Sequence, residues 1–454
     1  MTINRLFVAN RGEIAVRILR TAKALGLETV LGVSEADKDG LGARMADRAV
    51  VLGPAQAPKS YLNVDLILHA ARATGCDALH PGYGFLSEKP ELARRCAEEG
   101  IAFVGPRPET IEALGDKLSA RRLAEAAEVP TVPGTDHIAE VAPAQEAAEE
   151  IGYPVVMKAS AGGGGKGMFL ARTPEELKSS FSRASREADA AFGDGRLYME
   201  RFVERARHVE VQVVGDGEGA VVHFGDRDCS VQRRYQKLIE EAQVTAMPAE
   251  VQARMREAAV RLCAHASYRN AGTVEFLYDM DREDFYFIEV NSRIQVEHPV
   301  SEEITGHDLI ARQLSVAAGQ GIGVRQEDVA FDGHALEVRI NAEDPRNGFL
   351  PAPGRVTAWH PPEGAGIRLD SHMRAGDLIP PFYDSMVGKL IVRGATREAA
   401  IEGMLAAIRD FRLQGVATTL PLAAYIVGHP DFRTGAFSTR WLEDRALPAF
   451  LEQE

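Results

Sequence analysis

The sequence predicts a multidomain protein of mixed α/β and α+β class, and three observations carry that reading. Residues 1–114 alternate short apolar runs with helically spaced ones, the pattern of strands and crossover helices in a parallel sheet. Residues 208–300 hold four strand-type runs, HVEVQVVGD, AVVHFGDRD, GTVEFLYD and FYFIEVNSR. Between these regions, the string KASAGGGGKGM at 158–168 sits between apolar runs and reads as a hairpin with a glycine tip. The expected division is 1–114, then 115–330 with a smaller lobe at about 132–203, then an α+β segment at 331–448.

In order along the chain, RLFVAN is a short buried-type strand, and EIAVRILRTAKALG is a helix ending on Gly26. LETVLGV is the next strand. DLILHAARATG and CDALH repeat the helix–strand unit, followed by the loop PGYGFLSE, and ELARRCAEEG leads into IAFVGP. Such repetition places ligand loops at the C-terminal ends of the strands. The first loop, NRGEIA, has no G-x-G-x-x-G, so a dinucleotide fingerprint is absent. Helical DKLSARRLAEAAEV then meets VPTVPG, whose prolines mark a boundary, and a further helix is expected near 307–318.

Composition narrows the class. Hydrophobic residues make up 45% and charged residues 26%, which suits a globular chain, and no apolar run reaches membrane length. A formal net charge of −14 argues against a general nucleic-acid binder. Cys76, Cys96, Cys229 and Cys263 lie far apart without a CxxC pair, so buried reduced thiols and a cytoplasmic setting are expected. There is no secretory pattern after Met1.

The glycine string is not a Walker loop, because Lys166 is followed by Gly167 rather than Ser or Thr, and an extended run follows. A glycine tip still offers backbone N–H groups to an anion. In FIEVNSRIQVEHP, residues 287–299, Glu289, Asn291, Arg293, Gln295 and Glu297 occupy alternate positions and share one face of a strand. A bend after Ser292 would still bring the series into one cleft. DMDRED between two β-rich runs predicts a hairpin that sets Glu275 beside Glu289. Two carboxylates and an amide oxygen suit magnesium, although paired carboxylates also serve as general acid and base. Arg233, Arg234 and Lys237 in RDCSVQRRYQKLIEEA form a cationic cluster that suits an anion.

These stretches resemble the biotin carboxylases of the ATP-grasp superfamily. ANRGEIAVRILR, HPGYGFLSE, GDKLSARR, KASAGGGGKGM, ERFVERARHVEVQV, RDCSVQRRYQK, GTVEFLY, FIEVNSRIQVEHPVSE, RINAEDP, FLPAPGRV and PPFYDSMVGKLIV match in family order over nearly the whole chain. The resemblance implies a preATP-grasp (Rossmann-like) N-terminal domain, an ATP-grasp domain with a glycine-rich lid, and a C-terminal biotin carboxylase domain. The lid, with Gly163, Gly164, Gly165 and Lys166, would fold over the phosphates of ATP. Lys117 and Lys158 would meet phosphates, Glu200 the adenine or hinge, and His208 the ribose side, with Gln232 also in the ligand-contacting set. Glu275, Glu289 and Asn291 would hold Mg2+ or Mn2+. Lys237, Arg293, Gln295 and the backbone of Val296 would take bicarbonate. Glu297 would be the general base, and Arg339 would steady a biotin enolate. Tyr83 and Asp384 would have supporting roles.

The implied activity is ATP- and bicarbonate-dependent carboxylation of biotin through carboxyphosphate, the first half-reaction of an acyl-CoA carboxylase or a related enzyme. Biotin would be a group on a carrier protein acting in trans with carboxyltransferase subunits, since no Met-Lys-Met context is present. A homodimer is the expected assembly. Two positions depart from the family pattern: Tyr235 stands where RRHQK is usual, and Gln243 stands where Pro usually follows EEA. They leave two alternatives open, an ATP-grasp ligase on another acceptor (urea-like, amine or 2-oxo acid) and a nucleotide-binding subunit without turnover.

Overall fold

Arg5–Val8 is the middle strand of a five-stranded parallel sheet in this computed structural model, which describes residues 2–159 and 168–453. The order is Arg48–Gly53, Glu28–Ser34, Arg5–Val8, Ala78–His80, Ala102–Phe103. The predicted helices form at Gly12–Ala24, Val64–Ala73 and Pro90–Glu98. The first stops as expected, with Gly26 at φ +74° donating back to the carbonyl of Lys23. Arg48–Gly53 is the strand that the sequence reading leaves out. Its run is largely solvent-facing, so it has no buried face to give an alternation and is held by pairing with Glu28–Ser34.

The glycine-flanked hairpin forms as expected, Val155–Ala159 antiparallel to Met168–Ala171, with Leu197–Arg201 on its other edge. Helices Val141–Ile151 and Pro174–Phe192 bury Ala144, Ala148, Leu177 and Phe181 against Val155 and Met157. The string at 160–167, with Gly163, Gly164, Gly165 and Lys166, lies outside the described residues.

The largest sheet has eight strands. In order they are Asp284–Asn291, Arg269–Asp279, Ala206–Asp216, Val221–Arg233, Gln236–Ala242, His334–Asn341, Met386–Gly394 and Ile367–Ser371. It runs continuously through the boundary expected at 330/331, because Gln236–Ala242 pairs with His334–Asn341. Alternation sorts its two faces. Val209, Val211 and Val213 join Val274, Phe276 and the helix Ala249–His265 in one apolar core. Full burial of a side chain such as Phe276 contributes roughly 2–3 kcal/mol. His208, Glu210 and Gln212 take the opposite face of the same strand, and Glu210 and Gln212 are fully buried.

All four cysteines are buried free thiols, and no helix among the described residues is long and apolar enough to cross a membrane.

Candidate active site

Four neighbouring strands place Arg227, Glu210, Glu275 and Glu289 directly opposite one another. Three adjacent carboxylates would repel, so the row needs cations. Arg227, fully buried, pairs with Glu210. The Lys237 ammonium bridges Glu210 at 2.6 Å, Glu275 at 2.9 Å and Glu297 at 2.7 Å. Burial opposes a charge on Lys237, but the surrounding acids outweigh it and hold its pKa well above the usual range.

Glu289 is the carboxylate that this ammonium does not reach, and among the described residues no hydrogen bond or ion pair holds it. Burial, then the charge of Glu275 across the hairpin, pushes its pKa up. Asn291, one pleat along, presents its amide with Nδ2 buried and unpartnered and Oδ1 accepting from Arg293 at 3.0 Å. An unpaired, half-buried carboxylate beside a second carboxylate and an amide is a hard-oxygen set that a divalent cation would neutralise, so these residues fit the expected metal. Glu275 is shared, since His208 Nε2 lies 2.9 Å from its other oxygen.

The polar series after Asn291 does not stay in a strand. The strand ends at Asn291, the chain turns, and Glu297 caps the helix His298–Thr305. Glu289, Asn291, Arg293 and Gln295 line one cavity, as the bend allows, while Glu297 lies just behind its wall. Glu88, from the N-terminal PGYGFLSE loop, accepts from the Ser292 backbone at 3.1 Å and from Arg293 at 2.9 Å. Arg293 donates to Gln295 at 2.7 Å, and Gln295 donates to Glu275 at 3.3 Å. Arg339, on His334–Asn341, spans Glu240 at 2.6 Å and Glu297 at 2.9 Å. Glu297 is fully buried behind Lys237 and Arg339. Burial pushes its carboxyl up, but Lys237, then Arg339 and Arg227, hold it well below the usual carboxylate range.

The cavity encloses about 1530 Å³ and is lined from the N-terminal sheet, the hairpin lobe and the eight-stranded sheet. Lys117, Lys158, Glu200 and Gln232 also line it, with Gln232 directly opposite Lys237 in the paired strand. Lys117 opens the helix Lys117–Ala126, and Lys158 pairs with Glu200 on the neighbouring strand Leu197–Arg201. Glu200 also meets Arg121 at 3.4 Å. Asp384 lines the cavity and accepts from the Met386 backbone at 2.8 Å.

His208, expected on the ribose side, lines the cavity and lies beside Glu275, because both residues project from one face of paired strands. Arg233 was expected in the anion cluster, but its guanidinium packs 3.9 Å from the centre of the Phe349 ring. Arg234 does line the cavity, together with Tyr235. These two form the tip between Val221–Arg233 and Gln236–Ala242, both with positive φ, +48° and +66°. Left-handed backbone in such residues costs about 1–2 kcal/mol each, a strain found where a tip must present side chains. Tyr235 is 56% exposed there and offers a neutral phenol where the family pattern has an imidazole.

Sequence reasoning missed Glu210, Glu240, Glu88 and Glu337. HVEVQVV carried a signal for Glu210, a polar residue at every second position of an apolar strand. Glu337 sits opposite Glu240, fully buried, with both carboxyl oxygens unpartnered. Burial pushes its pKa well above the usual range, so it is held as the neutral acid. Its contribution to stability is present below the unfolded pKa of roughly 4.3 and is lost as pH rises. Glu337→Gln therefore gains in melting temperature over the wild type as pH is raised from about 5 to about 8. A gap that stays constant or narrows would mean an ionised, paired carboxylate instead.

Three family models match the chain in succession. "Biotin carboxylase, N-terminal domain" covers residues 2–111, "Carbamoyl-phosphate synthase L chain, ATP binding domain" covers 116–324, and "Biotin carboxylase C-terminal domain" covers 337–444. Biotin carboxylase 1 of Bacillus subtilis is 49% identical over 442 residues, 97% of this chain and 98% of that protein. A biotin carboxylase–β,γ-ATP complex from Campylobacter jejuni superposes with a TM-score of 0.94 at 42% identity, covering 98% of this chain and 99% of that one. The biotin carboxylase domain dimer of Hydrogenobacter thermophilus 2-oxoglutarate carboxylase, with MgADP, ADP and bicarbonate, gives 0.93 at 43% identity, covering 100% of both.

Proposed function

The chain belongs to the biotin carboxylase family, and from that premise we propose how its cavity carries out ATP- and bicarbonate-dependent carboxylation of biotin. The observation that carries the assignment of roles is Glu297 held between Lys237 and Arg339, one wall away from the unpaired Glu289 carboxylate.

Bicarbonate is an anion and a poor nucleophile. Arg293, Gln295 and the Val296 N–H supply donors for it, and Lys237 supplies charge. Glu297 is ionised under the field of its two cations and is placed to take the bicarbonate proton as ATP forms carboxyphosphate. A carboxylate held by two cations is a weak base. Transfer of Lys237 and Arg339 onto substrate charge would raise its basicity when the proton must move. Lys117 and Lys158 face the phosphate side, and Glu200 holds Lys158. Glu275, Glu289 and Asn291 would hold Mg2+ or Mn2+, which supplies charge neutralisation at the phosphoryl oxygens. His208, whose Nε2 lies 2.9 Å from Glu275, would meet the ribose side of the nucleotide. Carboxyphosphate then breaks down to carbon dioxide and phosphate, the phosphate takes the biotin N–H proton, and Arg339 presents a planar cation to the ureido oxygen that gains the charge before the nitrogen attacks carbon dioxide.

The division into 1–114, 115–330 and 331–448 is retained as a functional one, with the hairpin lobe as lid. Biotin is carried by a carrier protein in trans, and carboxyltransferase subunits set the final acceptor. The near end-to-end match with Bacillus biotin carboxylase 1 supports this. The assembly is a homodimer, for which the dimeric Hydrogenobacter relative is the support. The setting is the cytoplasm, and the pathway is acyl-CoA carboxylation such as that of fatty acid synthesis.

The test is ADP release with ATP, magnesium and bicarbonate, with and without free biotin or a biotinylated carrier. Bicarbonate-dependent release stimulated by biotin is expected. ATP binding with no biotin stimulation under any condition would remove the reading and favour another acceptor or a subunit without turnover.

A further inference from the structure

Lys389 has no role in the chemistry above, yet it is a fully buried cation beside the site. It lies on Met386–Gly394, directly opposite Arg339. Its ammonium donates to the Val296 carbonyl at 2.7 Å and lies 3.2 Å from Glu13. Glu13 in turn accepts from the hydroxyl of Tyr83, which lines the cavity. On the same loop, the first residue of the next helix, His298, is also fully buried, and its Nδ1 lies 2.7 Å from the Gln295 carbonyl. A carbonyl only accepts, so this nitrogen carries the proton.

Peptide groups are planar, so holding a carbonyl also sets the N–H on the opposite side of the same plane. His298 thus fixes the plane of the Val296 N–H, and Lys389 fixes the next plane, the one that leads into Glu297. We propose that His298 and Lys389 are positioning residues for bicarbonate, each aligning one of the two successive peptide groups that present Val296 and Glu297. The proposal rests on the function assigned above. The plainer account is that two buried carbonyls need partners. A neutral group would satisfy a carbonyl at less desolvation than an ammonium brought from another part of the chain. The ammonium's counter-charge, moreover, ties it to Tyr83 on the cavity wall.

The experiment measures KM for bicarbonate, KM for ATP and melting temperature in Lys389→Met, His298→Leu and His298→Asn. Asn keeps an N–H near the Nδ1 position. A misaligned reacting group typically loses about 10²-fold, so Lys389→Met and His298→Leu are expected to raise bicarbonate KM by about 10- to 100-fold, with ATP KM within about twofold of wild type. His298→Asn is expected to recover most of that loss. Equal rises in both KM values, or a lowered melting temperature with unchanged bicarbonate KM, would overturn the positioning role. Should Lys389→Met fail to fold, the His298→Leu and His298→Asn pair decides alone. Absence of bicarbonate-dependent ADP release in the wild type would overturn the parent function as well, an outcome distinct from active variants with unaltered bicarbonate KM.

Discussion

Glu297→Gln lowers bicarbonate-dependent ADP release by about 10²- to 10⁴-fold, the usual loss for a general base, with ATP affinity within about twofold of wild type. The substitution keeps the shape and one oxygen, which can accept from Lys237 or from Arg339 but not from both, because these donate to different carboxylate oxygens. What it removes is the proton acceptor. Steady-state kinetics combined with ATP titration separates the two. A parallel loss of ATP affinity, or retention of more than about a tenth of the activity, would show that another group takes the proton. The same picture fixes the pH dependence. Because Lys237 and Arg339 hold the Glu297 carboxyl below the usual range in the free enzyme, the acid limb it contributes to kcat/KM lies below that range. Activity is lost only as pH falls through it. Lys237→Met removes the stronger of the two fields and moves that limb upward.

Arg339→Lys is the second large effect. Lysine keeps one positive charge near Glu297, but it cannot span Glu240 and Glu297 while presenting a planar fork to biotin. Biotin carboxylation is expected to fall by about 10²- to 10³-fold, the typical loss of one charge-stabilising donor. Biotin-independent ATP hydrolysis falls much less, because the field on Glu297 is largely retained. Equal losses in the two assays would place Arg339 in service of Glu297 alone.

The hairpin from Arg269–Asp279 to Asp284–Asn291 was legible in the sequence because its signal is local. Two runs with period-two apolar spacing flank a polar turn, which puts Glu275 and Glu289 on neighbouring strands, while a bulge after the Phe276–Phe287 pair, not legible in the sequence, sets them directly opposite. The parallel sheet followed from the same kind of evidence, apart from the solvent-facing strand Arg48–Gly53. The Lys237 environment was not legible. Glu210, Glu275 and Glu297 lie 27, 38 and 60 residues from it, and nothing in the sequence records that three carboxylates share one ammonium. Arg233 was misplaced for the same reason. A guanidinium suits several neighbours, and packing chose Phe349.

The sequence by itself determined the order of strands and helices, the family, and which side chains share a strand face, because alternation and helical spacing act over a few residues. Only the tertiary structure decided which charge answers which. The eight-stranded sheet joins His334–Asn341 to Gln236–Ala242 and thereby brings Arg339 to Glu240 and Glu297. It also sets Lys389 behind Val296. The reason is physical. Desolvated charges must be paired wherever folding buries them, and the partner is fixed by strand register and layer packing, which one chain position cannot specify.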